Sequence, residues 1–333
     1  MGGIVKQGQV RCGVQGLPKI EAVGQFDMLA YTAAFIDGDG SLSMTRDRLT
    51  PSVDVYNNNP GVLENILPVI GGKITPEHRG SYHLRVGKLL EVRKICELLV
   101  SKMVTKKAQA ELIIKACQLP FGQQRREMQE QLSALNKSTH EKRPPDTVSL
   151  KIDTTTDASE WSYFGGYLDT DSTVSLRRQG RRAPYIEICC KKPGPLEHLR
   201  ERFGGQLQSR FRDSNRWISS LEFEDEHHVL AILKTAHPFV LGKKEHIAII
   251  LEACQYEGVH RDPFIARLDA IDAPYKNLRE FTRTADGKYV DSSRSTKKPH
   301  KTHKGKPLPP PSTPPEPEGG RSNQSLDNEE FQG

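Results

Sequence analysis

Two acidic turns, each at the end of an apolar run, are the residues of this sequence whose type and spacing could do chemistry. Residues 29–44 read LAYTAAFIDGDGSLSM, and residues 161–176 read WSYFGGYLDTDSTVSL. Each run predicts a helix that ends in an Asp-x-Asp pair, which places Asp39 and Asp171 at the negative end of a helix dipole. Such carboxylates are kept when a cation binds to them, and oxygen ligands favour Mg²⁺.

A stripe of small residues on each predicted helix is expected to bring the two acidic turns together. The first helix is expected from about Phe26 to Gly38. Small side chains let two helix backbones approach closely, so the helices are predicted to pack side by side with Asp39 next to Asp171. The carbonyl groups of Gly38 and Thr170 are then candidate cation ligands. The stripe positions are Ala30, Ala33, Ala34 and Gly38 in the first helix and Ser162, Gly165 and Gly166 in the second.

The first acid of each pair has a different predicted role. Asp37 and Asp169 lie two residues before the candidate ligands and point in another direction from the helix. We expect them to cap and brace the turn.

The acidic turns belong to a longer internal repeat. Residues 51–75 resemble residues 183–208, and VTKKAQAELIIKACQ (104–118) matches LGKKEHIAIILEACQ (241–255). Matched blocks in one order indicate a duplicated α+β domain. Alternating apolar and polar residues predict sheets with one buried face and one polar, solvent-facing side, which is called the wet face below. The predicted strands are 41–47, 51–57, 72–78 and 81–86 in the first copy and 175–182, 185–189, 206–212 and 217–223 in the second.

The composition of the chain excludes some classes of site and partner but does not select one function. The formal net charge of the 333-residue chain is +6, which is weak support for nucleic-acid binding. Its 6 cysteines and 11 histidines show no metal-ligand spacing, so a zinc ribbon or thioredoxin-type site is not expected. No apolar run is long enough to span a membrane, so no membrane partner is expected.

The predicted domain organisation follows from the repeat and from composition. Two prolines, Pro144 and Pro145, interrupt a stretch without periodicity, which indicates a linker. The C-terminal stretch is polar, basic and then proline-rich, and we expect it to be disordered, either as a weak nucleic-acid arm, an import signal or a solvating tail. The expected parts are an N-terminal extension (1–24), a first domain (25–135), a linker (136–160), a second domain (161–282) and the tail (283–333).

The two turns, TAAFIDGDGS and GGYLDTDST, resemble the motif that names the LAGLIDADG homing endonucleases. The resemblance covers about residues 25–280 and is to the single-chain, two-motif branch. It implies an α+β fold of two tandem αββαββα domains, whose antiparallel sheets form a saddle on double-stranded DNA. It further implies a monomer that cuts both strands across the minor groove and initiates intron homing. An organelle, chloroplast or mitochondrion, is the expected location, with the nucleus as the alternative.

The same resemblance assigns roles to five residues. Asp39 and Asp171 would each cut one strand, with two or three Mg²⁺ ions shared between the sites. Lys106 and Lys243 match lysines that polarise or position the attacking water, and Asn57 matches a polar residue that orders this solvent.

The second copy departs from the family pattern at two positions. Ser172 stands where glycine is usual, so this turn is expected to be strained or reshaped. Cys190 matches Asn57 but has no amide, and Lys191 or Glu187 are candidates to compensate.

The wet faces of the sheets are the predicted DNA-reading surfaces, because side chains in the major groove can distinguish base pairs. The two halves differ in these residues, so a long asymmetric target is expected. By strand parity, the first-copy candidates are Ser43, Thr45, Asp47, Ser52, Asp54, Lys73, Thr75, His83 and Arg85. The second-copy candidates are Ser175, Arg177, Gln179, Glu187, Gln208, Arg210 and Arg212.

Two other functions stay open at this point. The first is a splicing maturase with the same fold that binds its own intron RNA, and the second is a non-catalytic DNA-binding regulator. The presence of both Asp39 and Asp171 weighs against the regulator. Cleavage of the intronless allele would separate an endonuclease from a maturase.

Overall fold

The structure is a computed structural model that describes residues 25–77, 80–137, 156–190, 194–212, 216–276, 281–283 and 289–291. The predicted N-terminal extension, most of the predicted linker and the tail beyond residue 291 lie outside the described residues. None of the described helices has the length and apolar character needed to cross a membrane.

The first half contains an antiparallel sheet with helices against its apolar face. Its strands pair in the order β1-β2-β4-β3. The apolar face carries Leu42, Val53, Val55 and Leu84, which are fully buried in one hydrophobic cluster. The elements are α1 (Met28–Asp39), β1 (Gly40–Met44), β2 (Pro51–Asn57), α2 (Pro60–Ile70), β3 (Lys73–Pro76), β4 (Tyr82–Val86), α3 (Leu89–Leu99), α4 (Lys107–Gln118) and α5 (Gln123–Lys137).

The second half repeats this order. Its sheet has the order β5-β6-β8-β7, which matches the first sheet strand for strand. Its apolar face, with Val174, Ile186, Ile188 and Leu221, is buried in a second cluster. The elements are α6 (Ala158–Asp169), β5 (Ser172–Leu176), β6 (Pro184–Cys190), α7 (Gly194–Phe203), β7 (Gln206–Arg212), β8 (Arg216–Phe223), α8 (Glu226–Ala236), α9 (Lys244–Ala253) and α10 (Asp262–Lys276). The predicted fold class, two tandem αββαββα units with antiparallel sheets, is therefore confirmed.

One strand prediction was wrong in its position. The alternation in residues 175–182 predicted a strand, but β5 ends at Leu176 and a turn follows. Gly180 and Arg182 in this turn have φ values of 66° and 52°, in the left-handed region that ends regular strand structure. The arginine-rich alternation therefore belongs to the connection between β5 and β6.

The central helices begin at aspartate caps. The carboxylate of Asp27 accepts hydrogen bonds from the backbone N–H groups of Leu29 and Ala30, at 3.0 and 3.1 Å. Asp157 does the same for Glu160 at the start of α6, at 2.9 Å. Capping fixes where each helix starts, and α1 begins two residues after the predicted position because Asp27, not Phe26, supplies the cap.

The helices α1 and α6 pack against each other through the predicted small residues, with two exceptions. A Cβ on Gly166 would lie 2.5 Å from the carbonyl oxygen of Tyr31 and 2.8 Å from the Cβ of Ala34, so the backbones touch here. The exceptions are Ala33, which packs in the core of the first half, and Gly165, which faces the carbonyl of Phe239. They lie on the sides of the helices that face their own domains.

A separate, short strand pair lies beyond the second half. The strands β9 (Phe281–Arg283) and β10 (Tyr289–Asp291) pair antiparallel, with Thr282 opposite Val290. The strand β9 spans the predicted boundary between the second domain and the tail, and β10 falls in the predicted disordered tail.

Candidate active site

The crossing of α1 and α6 brings the two acidic turns side by side. A Cβ on Gly38 would lie only 2.4 Å from the side-chain oxygen of Thr170, so the two helix ends are in contact. Asp39 and Asp171 follow these residues, and both line the same two cavities, of about 700 and 650 Å³. The two acids therefore lie at one centre, as the sequence predicted.

The carboxyl of Asp39 is electrostatically unfavourable as an anion. Burial, and after it the charge of Asp171, raise its pKa from an ordinary value of 3.8 to about 7. The hydrogen bond from Asn57 and the charges of Lys243 and Lys106 act in the opposite direction. Two acids that repel each other in a partly buried cavity form a site that a cation would stabilise.

The donor set at this centre fits a hard divalent cation. The described residues contain no group of three or more His, Cys, Asp or Glu arranged to hold a metal. Asp39 and Asp171 would therefore act together with the neighbouring carbonyl groups of Gly38 and Thr170, and a phosphate or water would complete the shell. An all-oxygen set of this kind is what Mg²⁺ and Ca²⁺ prefer.

Asp37 and Asp169 anchor the loops that carry the two candidate lysines. The carboxylate of Asp37 accepts from the backbone N–H groups of Val104, Thr105 and Lys106, at 2.7, 3.1 and 2.8 Å. That of Asp169 accepts from Leu241, Gly242 and Lys243, at 2.7, 2.8 and 2.7 Å. The acids were predicted to cap and brace their own turns, whereas these hydrogen bonds fix the loops at the start of α4 and of α9.

The two lysines point back to the ends of the central helices. Nζ of Lys106 donates to the carbonyl of Ile36, at 2.9 Å, and to that of Asp37. Nζ of Lys243 donates to the carbonyl of Leu168 and, at 2.7 Å, to that of Ser172. Burial lowers the pKa of both lysines, while nearby carboxylates, including Asp39 and Asp171, raise it.

Asn57 and Cys190 occupy equivalent places but differ in their contacts. Each is the last residue of the second strand of its half. The amide Nδ2 of Asn57 donates to the Asp39 carboxylate at 3.1 Å, whereas Cys190 lines the cavity beside Lys106. Glu187 does not compensate, since its carboxylate pairs with Arg210 at 3.6 Å on the sheet face. Lys191 lies outside the described residues.

The expected strain at Ser172 is absent, although the turn is reshaped. Among the described residues, only Leu49 and Arg182 combine a side chain with a positive φ. The helix α1 ends at Asp39, the second acid of its motif, whereas α6 ends at Asp169, the first acid of its motif. The hydroxyl of Ser172 donates to the carbonyl of Leu168 at 2.6 Å. By contrast, a Cβ on Gly40 would lie 2.6 Å from the carbonyl oxygen of Ile36, so the first turn has room only for glycine.

The sequence reading missed residues that line the cavities beside the lysines. Gln109 and Asn136 line the cavity with Lys106, and His246 and Asp272 line the one with Lys243. Nε2 of His246 lies 3.0 Å from the Asp272 carboxylate. The repeat held the signal, because Gln109 and His246 each follow the matched lysine by three residues.

The wet face of the first sheet carries most of its predicted DNA-reading residues. Register pairs Ser43 with Ser52, Asp54 with Arg85, and His83 with Thr75, so these residues share a face with Lys73. Thr45 and Asp47 lie beyond the end of β1, in the connection to β2.

Three of these first-half candidates are buried in a hydrogen-bonded cluster. The hydroxyl of Ser52 donates to Asp54 at 2.6 Å, and Nε2 of His83 lies 2.8 Å from the same carboxylate. Arg85 is more than half exposed and its Nε lies 3.5 Å from Asp54. Tyr56, which the sequence reading missed, stacks on His83 with ring centroids 4.3 Å apart. The cluster therefore supports Arg85 and Tyr56 at the surface.

The second sheet presents a different wet face. Register places Ser175 opposite Tyr185, and Glu187 and Gln206 on either side of Glu222. Its predicted residues Glu187, Gln208 and Arg210 share this face, and Arg210 pairs with the buried Glu222, a residue that the sequence reading missed.

The other predicted residues of the second half lie off the strands or at their ends. Arg177 and Gln179 lie in the connection after β5, where the guanidinium of Arg177 pairs with Glu224. Arg212 is the last residue of β7.

Comparison with known proteins identifies the fold. No protein-family model and no curated protein matches the sequence. The LAGLIDADG meganuclease I-AabMI bound to uncleaved DNA is 15% identical, with a TM-score of 0.50, over 77% of this chain and 99% of that one. The meganuclease I-SmaMI bound to uncleavable DNA is 13% identical, with a TM-score of 0.51, over 75% of this chain and 98% of that one. The chain has the two-domain LAGLIDADG meganuclease fold.

Proposed function

We propose that this protein is a metal-dependent, site-specific endonuclease that hydrolyses both strands of double-stranded DNA. The observation that carries the proposal is the pair Asp39 and Asp171, which line shared cavities where two helices cross, between two sheets with polar faces. Structures with this fold, I-AabMI and I-SmaMI, were determined bound to DNA, which supports DNA as the partner.

Each half contributes a set of groups to one strand cut. Asp39 and Asp171 would hold Mg²⁺, together with the carbonyl groups of Gly38 and Thr170. The bound ion would activate water and stabilise the leaving oxygen. Lys106 and Lys243, anchored through their ammonium groups to the helix ends, would orient the water at each scissile phosphate. Asn57 orients the carboxylate of Asp39.

The sheets would read the target sequence. A two-stranded or wider antiparallel surface with polar side chains fits the major groove, where Arg85 and Arg210 would pair with guanine. The two faces carry different residues, so the two half-sites should differ. We propose that the chain acts as a monomer and that the target is a long asymmetric sequence, cut across the minor groove to initiate intron homing.

The test is cleavage of the intronless form of the host allele with Mg²⁺, using wild type, Asp39→Asn and Asp171→Asn. We expect wild type to cut both strands and each variant to lose double-strand cleavage by about a thousandfold or more, with nicking as the residual activity. Glu97→Gln, which changes an exposed acid of α3 outside the cavities and off the wet face, is the control and should cut normally.

Full double-strand cleavage by either cavity variant would refute the assigned site. Absence of cleavage by wild type on this allele, together with tight binding to its own intron RNA, would favour the maturase.

A further inference from the structure

Two buried tyrosines form hydrogen bonds that cross between the halves. The hydroxyl of Tyr31, on α1, donates to the carboxylate of Asp169 at 2.6 Å, and that of Tyr163, on α6, donates to the carboxylate of Asp37 at 2.8 Å. All four side chains are at least nine-tenths buried. Each tyrosine therefore contacts the acid that anchors the lysine loop of the opposite half.

The two carboxylates accept hydrogen bonds in the same pattern. Oδ2 of Asp169 accepts from the backbone N–H groups of Leu241 and Gly242 and from the hydroxyl of Tyr31, and Oδ1 accepts from the N–H of Lys243. Oδ2 of Asp37 accepts from the N–H groups of Val104 and Thr105 and from the hydroxyl of Tyr163, and Oδ1 accepts from the N–H of Lys106. Removing a hydroxyl leaves a buried anion with one hydrogen bond fewer, so the carboxylate and its loop have freedom to shift.

We propose that Tyr31 and Tyr163 are positioning residues, each of which sets the lysine of the opposite half and so couples the two strand cuts. This inference rests on the proposed function for its catalytic meaning. Tyr31 acts through Asp169 on Lys243, and Tyr163 acts through Asp37 on Lys106.

The close packing around the tyrosines restricts movement of the hydrogen bonds between the tyrosines and the carboxylates. Gly166 allows the backbone of Tyr31 to approach α6, since a Cβ there would collide with the Tyr31 carbonyl oxygen. Gly242 lies against Asp169, where an added Cβ would be 3.1 Å from Oδ1. Burial and the adjacent carboxylates raise the pKa of both tyrosines, which keeps the hydroxyls as proton donors.

The structure also predicts that each tyrosine acts on the lysine loop of the opposite half, which is called the crossed linkage below. A general stabilising role does not predict this pattern. Nζ of each lysine is fixed at the C-terminal end of its own central helix, and its backbone N–H is fixed by the acid of the same half. The hydroxyls of Tyr31 and Tyr163 reach these acids from the other half, and the loop of the first half has one more such contact, at 3.0 Å between Thr105 and the hydroxyl of Tyr167. Loss of one hydroxyl should therefore disturb one lysine loop and leave the other in place.

The test compares Tyr31→Phe and Tyr163→Phe with Lys243→Met and Lys106→Met on a DNA target labelled separately on each strand. The lysine variants define which strand depends on which lysine. We expect Tyr31→Phe to slow the strand that Lys243→Met slows, by about tenfold, because a small misplacement of a catalytic group has an effect of this order. Tyr163→Phe should slow the other strand by a similar factor.

A matched control and a pairwise cycle separate positioning from stability. Tyr256→Phe removes a hydroxyl from a ring that packs on Phe264, outside both cavities and off the wet faces, and should leave both rates unchanged. On the affected strand, Tyr31→Phe and Lys243→Met should be non-additive. Equal slowing of both strands, or slowing of the strand that depends on Lys106, would overturn the crossed linkage. If either phenylalanine variant fails to fold, the other carries the same test in the opposite direction.

Amide hydrogen exchange on the DNA-free protein gives a readout that does not depend on cleavage. Tyr31→Phe should increase exchange at residues 241–243 by about tenfold, with residues 104–106 unchanged, and Tyr163→Phe should give the reverse. The inference fails if each variant loosens the loop of its own half. If the wild type does not cleave, the proposed function is refuted. The exchange pattern would still test whether each tyrosine holds the lysine loop of the opposite half.

Discussion

Asp37 and Asp39 lie two residues apart on α1, and neutralising them should change stability in opposite directions. Asp39→Asn removes a carboxylate whose pKa burial and Asp171 raise to about 7, from an ordinary value of 3.8. A difference of this size corresponds to ~4 kcal/mol between the charged and neutral forms in the folded protein. We therefore expect Asp39→Asn to stabilise the cation-free protein at alkaline pH while it abolishes cleavage.

The sign of the pH dependence follows from proton linkage. The folded state binds a proton at Asp39 more tightly than the unfolded state does. The stability that this proton contributes is fully present below the unfolded pKa and is lost as pH rises through the folded pKa. In the wild type, about 2–3 kcal/mol should be lost between pH 5 and pH 8 from this group alone. Asp39→Asn lacks this loss, so its advantage over wild type should grow by that amount.

Asp37→Asn is the control for this prediction. Its carboxylate accepts three backbone N–H groups and the hydroxyl of Tyr163, all within 3.1 Å. An asparagine replaces one acceptor oxygen with a donor, which leaves buried N–H groups without a partner. Lost charge-assisted hydrogen bonds of this kind amount to about 3–5 kcal/mol, and the loss should be present at both pH values.

The assay is urea unfolding of wild type, Asp39→Asn and Asp37→Asn at pH 5 and pH 8 in EDTA, repeated with Mg²⁺. In EDTA at pH 8, the midpoints should rank Asp39→Asn above wild type and wild type above Asp37→Asn. Addition of Mg²⁺ at a hundred times its dissociation constant should stabilise wild type by ~2.7 kcal/mol and Asp39→Asn by much less. The reasoning is refuted if Asp39→Asn is less stable than wild type in EDTA at pH 8.

Two further substitutions test the helix crossing and the DNA-reading surface. Gly166→Ala places a methyl group 2.5 Å from the Tyr31 carbonyl oxygen. We expect the free energy of unfolding to fall by about 3 kcal/mol and the Tm, measured by calorimetry, to fall by roughly 10 °C. Gly194→Ala, with open space around it, should keep the wild-type Tm. Arg210→Ala leaves Glu222 without its cation on the wet face, so we expect about 1–3 kcal/mol weaker binding and relaxed preference at one base-pair position, read out by selection from a randomised target library.

The elements that the sequence predicted well are those with a local signal. The periodicity and the acidic turns predicted α1 and α6, and the matched blocks predicted the duplicated fold. Strand parity placed Lys73, Thr75 and Arg85 on the wet face, where the register has them. Residues 175–182 misled because an arginine-rich turn can imitate the alternation of a strand, and a positive φ at Arg182 is not visible in the sequence.

The contacts that the sequence did not predict depend on how closely the halves approach. A tyrosine one position before a motif looks like any core aromatic, and its bond to Asp169 exists because Gly166 brings the helices into contact. The pairing of His246 with Asp272 joins α9 to α10, across 26 residues of sequence. Such pairs follow from tertiary packing, which single-sequence patterns do not encode.

The shared centre limits how far the two halves can diverge. The charge of Asp171 raises the pKa of Asp39, and Lys106 and Lys243 both lower it, so a change at any of these positions acts on both halves. The wet faces of the two sheets are free of this restriction, and there the halves differ. Arg85 lies opposite Asp54 in the first sheet, whereas Glu222 lies opposite Glu187 in the second. Under the proposed function, the chain would therefore read an asymmetric target through two unlike sheets while its acids and lysines remain a matched set.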